Sequence, residues 1–277
     1  MRMPTQSLFS ALSQVNFNHR GRDDPQQVFM ERLEIMAVET GLKPAFAAGQ
    51  SGHNLSFNRQ LEKFAANNGF LAVSTPGVSA FTQLLALPTH NIGSSLLKTI
   101  TMLIRQSVPN PDQQILWLFK DSRLKESIDL CVAGQIPVGD VLGYPRCCTD
   151  GYLELEAQRM QTELDYFRQH HGAKTDADLV ALYQSETDIT GPHKERIEVV
   201  CSTMTTRQAN SIKRLPFVHF IACPRCQDDP GSPAAQLNQK MAQLASDLSP
   251  TFARKFTSYA ENYFRIFQQT RTRTSPA

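Results

Sequence analysis

The chain has 277 residues, 41% apolar and 19% charged, and its 28 Lys and Arg against 26 Asp and Glu leave a formal charge of +2. This length and composition describe a folded globular chain able to bury a core without disulfides, which excludes global disorder and a coiled coil. So neutral a balance supplies no basic field for broad binding to phosphate backbones, and the tail around Arg271 and Arg273 is too short to change that.

The first 24 residues lack clear periodicity and read as a poorly ordered N-terminal segment. Asp24-Pro25 reads as an N-cap with proline at the first helical position, and Phe29, Leu33 and Met36 share one face until Thr40-Gly41 stops the helix. Residues 49–58, rich in Gly, Ser and Asn, read as loop. A helix near 59–67, a strand-like run at 70–73 and a helical region near 94–106 follow. QILWLF at 114–119 is the best strand candidate, being short, aromatic and bounded by Pro111 and Asp121. Leu124, Ile128 and Cys131 fall at helical spacing until Gly134. A long amphipathic helix after Cys148 carries Leu153, Ala157, Met160, Leu164 and Phe167, and stops at His170-His171-Gly172. Helices near 176–183 and 195–204 and a strand-like 217–222 lead to Cys223. Ser232-Pro233 and Ser249-Pro250 then open two final helices, the second carrying Phe252, Phe256, Tyr259, Tyr263 and Ile266.

These elements predict a mainly helical α+β fold with a few short strands and thiol-bearing turns at strand-to-helix junctions. An α/β portion at 25–134 and a cysteine-motif and C-terminal helical portion at 135–277 are expected to pack as one unit. No apolar run of about 18 residues marks a transmembrane helix, and the broken stretch Leu8 to Leu12 is too short for the centre of a secretory signal. The expected location is cytoplasmic, with no nucleic-acid or membrane partner and with the six cysteines reduced.

Periodicity sorts those cysteines. Cys131 shares a helical face with Leu124 and Ile128, and Cys201 with Ile197 and Met204, so both read as small buried hydrophobes. The other four lie in GYPRCCTDGY (Cys147, Cys148) and CPRC (Cys223, Cys226), each read as a turn between a short apolar run and a helix. Arg146 and Arg225 stand beside these thiols, and a guanidinium or a helix start favours the thiolate that binds metal. A C-x-x-C turn converges two sulfurs on one centre, and a second pair can complete four soft ligands. Adjacent side chains usually diverge, which would strain a mononuclear zinc site. A multi-iron cluster accepts neighbours more easily, so the reading prefers iron–sulfur slightly over zinc.

His219, four residues before Cys223, reads either as a satisfied core histidine or as a group aimed at the site. Tyr144 either hydrogen-bonds a ligand or packs. Asp150 reads as a helix cap, Asp228-Asp229 as turn residues, and His170 and His171 as solvated. The absence of GxxxxGK[ST], GxGxxG after a strand, HExxH and GxSxG removes most support for nucleotide-triphosphatase and hydrolase readings.

The strings LGYPRCC and HFIACPRC resemble the uncharacterised domain-of-unknown-function family 483, over about residues 138–245. The resemblance implies that the four thiols and His219 belong together. A looser similarity is to the cysteine-rich CCG domains of heterodisulfide reductase-type proteins, which hold iron–sulfur clusters; here Thr149 stands where that motif has glycine. The expectation is therefore an intracellular metal-binding protein with ligands drawn from Cys147, Cys148, Cys223, Cys226 and His219. If it is an enzyme, an open coordination position takes a small anionic substrate, with Arg146, Arg225 and Tyr144 as binding residues. A thiol–disulfide redox protein using CPRC and a non-catalytic structural zinc protein are the alternatives.

Overall fold

The computed structural model describes residues 5–15, 25–48, 55–88, 91–106, 114–185 and 188–274. Helix α1 (Thr5–Leu12) lies where the sequence reads as poorly ordered. Leu8, Leu12 and Val15 fall four and three apart and are buried, which corrects that expectation for residues 5–15; residues 16–24 lie outside the described ones. One stripe of three apolar residues is enough when other helices complete the core. Helix α2 (Pro25–Thr40) buries Leu33, Ile35, Met36 and Ala37, more than one face, because α1, a C-terminal helix and the sheet surround it.

Strand β1 (Ala45–Ala48) is followed by α3 (Leu55–Asn67), whose apolar series Phe57, Leu61, Phe64 and Ala65 begins inside the segment read as loop. Residues 55–58 are thus helical, and residues 49–54 lie outside the described ones. Strand β2 (Leu71–Pro76), helices α4 (Ala80–Leu84) and α5 (Ser94–Gln106) and strand β3 (Gln114–Phe119) complete the N-terminal part. The sheet order is β1-β3-β2, antiparallel throughout, with Phe119 opposite both Ala45 and Leu71.

Strand β3 is central and covered on both faces. Leu116 and Leu118 enter the core formed with α1, α2 and α3, while Ile115, Trp117 and Phe119 meet Val78, Ile128, Cys131 and Val141. Such a strand reads as a continuous apolar run, because neither face meets water. The indole N–H of Trp117 donates to Thr75 Oγ1 at 2.9 Å, which satisfies the one polar group this core takes in with the ring.

Next come α6 (Leu124–Val132), α7 (Val138–Val141), α8 (Arg146–His170) and α9 (Asp176–Gln184), of which α8 and α9 share a second core with α4 and α5. Helices α10 (Gly191–Arg214), α11 (Pro224–Asp228), α12 (Pro233–Leu248) and α13 (Pro250–Thr274) follow. Met241, Leu248 and Phe256 return to the core that holds Leu8 and Leu33. Among the described residues the fold is mainly helical α+β with one small antiparallel sheet. Among the described residues, no helix is long and apolar enough to cross a membrane.

Three local readings are corrected. Helix α8 begins at Arg146, so Cys147 and Cys148 lie in its first turn, not before it. Residues 217–222 are not a strand: the amide of Phe217 donates to Asn238 Oδ1 and that of Ala222 to Ser211 Oγ, both at 2.8 Å. Side chains satisfy this backbone, so the thiol-bearing segments follow irregular chain instead of strands. Helix α10 is longer than the 195–204 expected, and Cys201 is exposed on it, because only His193, Ala209 and Ser211 of this helix are buried.

Gly143 fixes the approach to α8. Its φ is +74°, and a Cβ there would stand 2.5 Å from Pro44 Cδ. Gly143→Ala is expected to lose roughly 2–4 kcal/mol, the left-handed penalty plus overpacking. Gly41→Ala, also at positive φ but in open space, should lose only about 1 kcal/mol. Urea unfolding of both variants checks this, and equal losses would contradict the Pro44 contact.

Candidate metal centre

The GYPRCC string builds a helix start. The Tyr144 ring packs against Phe220 with centroids 4.5 Å apart, and its hydroxyl donates to the His219 carbonyl at 3.2 Å. Pro145 occupies the N-cap of α8. Arg146 then donates from Nε to Asp150 at 2.7 Å, from Nη1 to Asp140 at 2.6 Å and from Nη2 to the Ala86 carbonyl at 3.3 Å. This guanidinium ties α7 to α8. Asp150 is its partner inside the helix, not a cap.

The CPRC string is held from α10 and α12. Cys223 is the N-cap of α11 and Pro224 its first residue. Gln227 Nε2 donates to the carbonyls of Arg207 and Ala222 at 2.9 and 2.7 Å and to Ser211 Oγ at 2.9 Å. Arg207 in turn donates to the Gly151 carbonyl of α8 at 3.0 Å, and Ser232 Oγ donates to the Cys226 carbonyl at 2.9 Å. Arg214 pairs with Asp228, and Asp229 accepts the Gly231 amide, so both aspartates hold the turn. Arg225 is exposed.

These two helix starts bring four sulfurs together. All Sγ atoms of Cys147, Cys148, Cys223 and Cys226 lie within 4.8 Å of one another, a group able to hold a metal ion. Cys147 and Cys226 are 3.5 Å apart, and the amide of Cys223 donates to Cys148 Sγ at 3.4 Å. Cys148 and Cys226 are buried while Cys147 is exposed, so the centre sits just under the surface. Successive helical residues point about 100° apart, yet α11 approaches so that both neighbours face it.

Desolvation of the sulfur and the thiols of Cys226 and Cys223 push Cys147 up to about 11, and burial pushes Cys148 up as well. Burial would also raise Cys226, but hydrogen bonds from the other three thiols outweigh it and hold that group below its ordinary value. Arg146 is turned to carboxylates, so these sulfurs do not owe their state to it. Cys131 is buried in α6, away from this group, and burial lifts it to about 11.

His219 stands outside the sulfur group. Its Nδ1 lies 3.6 Å from Glu34 Oε2, and the side chain is 57% exposed. The Glu34 carboxylate raises the His219 pKa against desolvation. Glu34 itself is buried with Lys43, whose Nζ donates to Oε1 at 2.5 Å and sits 4.9 Å above the Tyr144 ring. Burial alone would raise Glu34, but the charge of Lys43 and the facing His219 bring it down to about 2. Sequence reasoning missed this pair. The available signal was a glutamate between Leu33 and Ile35 in a helix apolar on several faces, which demands a buried partner.

Compared with family models, curated proteins and solved structures, the chain gives no match.

Lys43→Met leaves the buried Glu34 charge with only the partly exposed His219 facing it and is expected to cost roughly 3–5 kcal/mol, whereas Glu34→Leu with Lys43→Met costs much less. The wild type should lose the Glu34 contribution as pH falls from the ordinary 4.5 towards about 2, because a depressed carboxylate stabilises only while ionised. Urea titrations against pH check both, and an acid step surviving in the double variant would contradict the assignment.

Proposed function

We propose that this chain is a metal-binding protein in which Cys147, Cys148, Cys223 and Cys226 hold one zinc ion in a closed, non-catalytic site. The observation that carries the reading is the spread of the four sulfurs, none more than 4.8 Å from another. Two thiolates on one tetrahedral zinc with bonds of about 2.3 Å stand about 3.8 Å apart. A multi-iron cluster puts thiolates on separate irons and spreads them further. The adjacency of Cys147 and Cys148, which in the sequence favours a cluster, loses its force once both neighbours face α11. The free thiols suit a cytoplasmic location.

Zinc here supplies folding energy. It ties the first turn of α8 to α11, two segments 75 residues apart whose shared apolar cluster is small. The 3.5 Å contact of Cys147 with Cys226 supports a second reading, a redox dithiol formed by this pair instead of the C-x-x-C pair.

Metal analysis of protein purified without oxygen is expected to find one zinc per chain and a colourless sample. Cys148→Ser and Cys226→Ser should lose most of it, while Cys131→Ser and Cys201→Ser keep it. Iron with acid-labile sulfide would replace zinc by a cluster. Metal-free protein with a Cys147–Cys226 disulfide would favour the redox reading.

Cys147, held at about 11, and Cys148, also raised, keep their protons at neutral pH in the metal-free protein. Zinc must displace them, so its affinity should rise steadily between about pH 6 and 9. Competition with a chromophoric chelator measures this, and a flat profile would mean the thiols are already ionised.

A further inference from the structure

A cleft of about 360 Å³ opens between the starts of α7 and α8 and the irregular segment 219–221. That volume falls in the range of small-molecule sites, about 300–1,000 Å³. Val138, Tyr144, Thr149, Tyr152, Phe220 and Ile221 line much of it, and Cys148 reaches it from the sulfur group. Tyr152 is 38% exposed, an aromatic ring left on the surface beside an apolar hollow.

The charges around the cleft define its ligand. Glu156, which also lines it, accepts from Tyr152 Oη at 3.2 Å and from Arg159 Nε at 3.1 Å, so a cation meets no unpaired carboxylate. Arg146 is engaged by Asp140 and Asp150, so an anion meets no guanidinium. Thr149, whose buried hydroxyl has no hydrogen-bond partner, and His219 are the remaining polar groups. The Nδ1 of His219 faces Glu34, which leaves the Nε2 edge of a largely exposed ring for a ligand. Three aromatic rings supply faces and edges for another ring.

We infer that this cleft binds a small, neutral aromatic molecule carrying one hydrogen-bonding group, which His219 meets at the rim. The cleft adjoins the sulfur group through Cys148, but the inferred ligand meets Tyr144, Tyr152, Phe220 and His219 and not the metal. A second cleft of about 480 Å³ shares His219, Phe220 and Ile221 but is otherwise lined by α2, α10 and α13 residues such as Gln208, and it serves as the control.

The test is titration of the full chain with N-phenyl-1-naphthylamine, a neutral dye with one N–H that brightens in apolar surroundings. Binding saturates at one dye per chain. Val138→Phe, which fills this cleft alone, weakens it about tenfold or more, while Gln208→Phe leaves it within about twofold. His219→Ala weakens it a few-fold. Should Val138→Phe fail to fold, Tyr152→Ala on the exposed rim carries the test, with a loss of about threefold or more. Absence of saturable binding, unchanged binding in a folded cleft variant, or loss in Gln208→Phe overturns the inference. Zinc measured on the same samples separates the two readings: dye binding without zinc defeats only the metal site, and zinc without dye binding only the cleft.

Discussion

The docking of the first turn of α8 against the start of α11 is the contact on which the chemistry of this molecule depends. Neither turn has a large core of its own: the buried residues they share are Cys148, Leu215, Ala222, Cys226 and Ala234. Hydrogen bonds do much of the alignment instead. Ser211 and Gln227 satisfy the backbone ahead of Cys223, and Arg207 reaches across to α8. A ring of directional bonds sets sulfur positions more sharply than apolar contact, which is non-directional.

The approach to α8 is over-determined in the same way. Gly143 admits Pro44, Tyr144 packs on Phe220, and Arg146 bridges two carboxylates. Tyr144 also links this turn to the buried Glu34–Lys43 pair through the ammonium above its ring. Segment 217–222 therefore has the sulfur group at one end, the ion pair beside its middle and a cleft on each side. An irregular segment suits this position, because it can satisfy its backbone with side chains and leave ring faces open.

Where one apolar stripe or one cap decides an element, the sequence was legible. β3, α5 and the proline-initiated starts of α2, α12 and α13 follow from period, length and capping residues. α1 and β1 did not, because one stripe of three residues and a run of AFAA carry too little signal without the core they join. Cys201 shows the opposite failure. Its spacing from Ile197 and Met204 is helical, but the face it marks is not the one α10 buries.

Residue types and spacing alone singled out Cys147, Cys148, Cys223 and Cys226, because thiol pairs beside helix starts carry their chemistry locally. Which groups meet was a matter of tertiary packing. It brought all four sulfurs into one group, turned Arg146 to Asp140 and Asp150, and set His219 against a glutamate 185 residues earlier in the chain. The reason is physical: helical period and capping act over a few residues, whereas ion pairing and sulfur convergence depend on distances that only the folded chain defines.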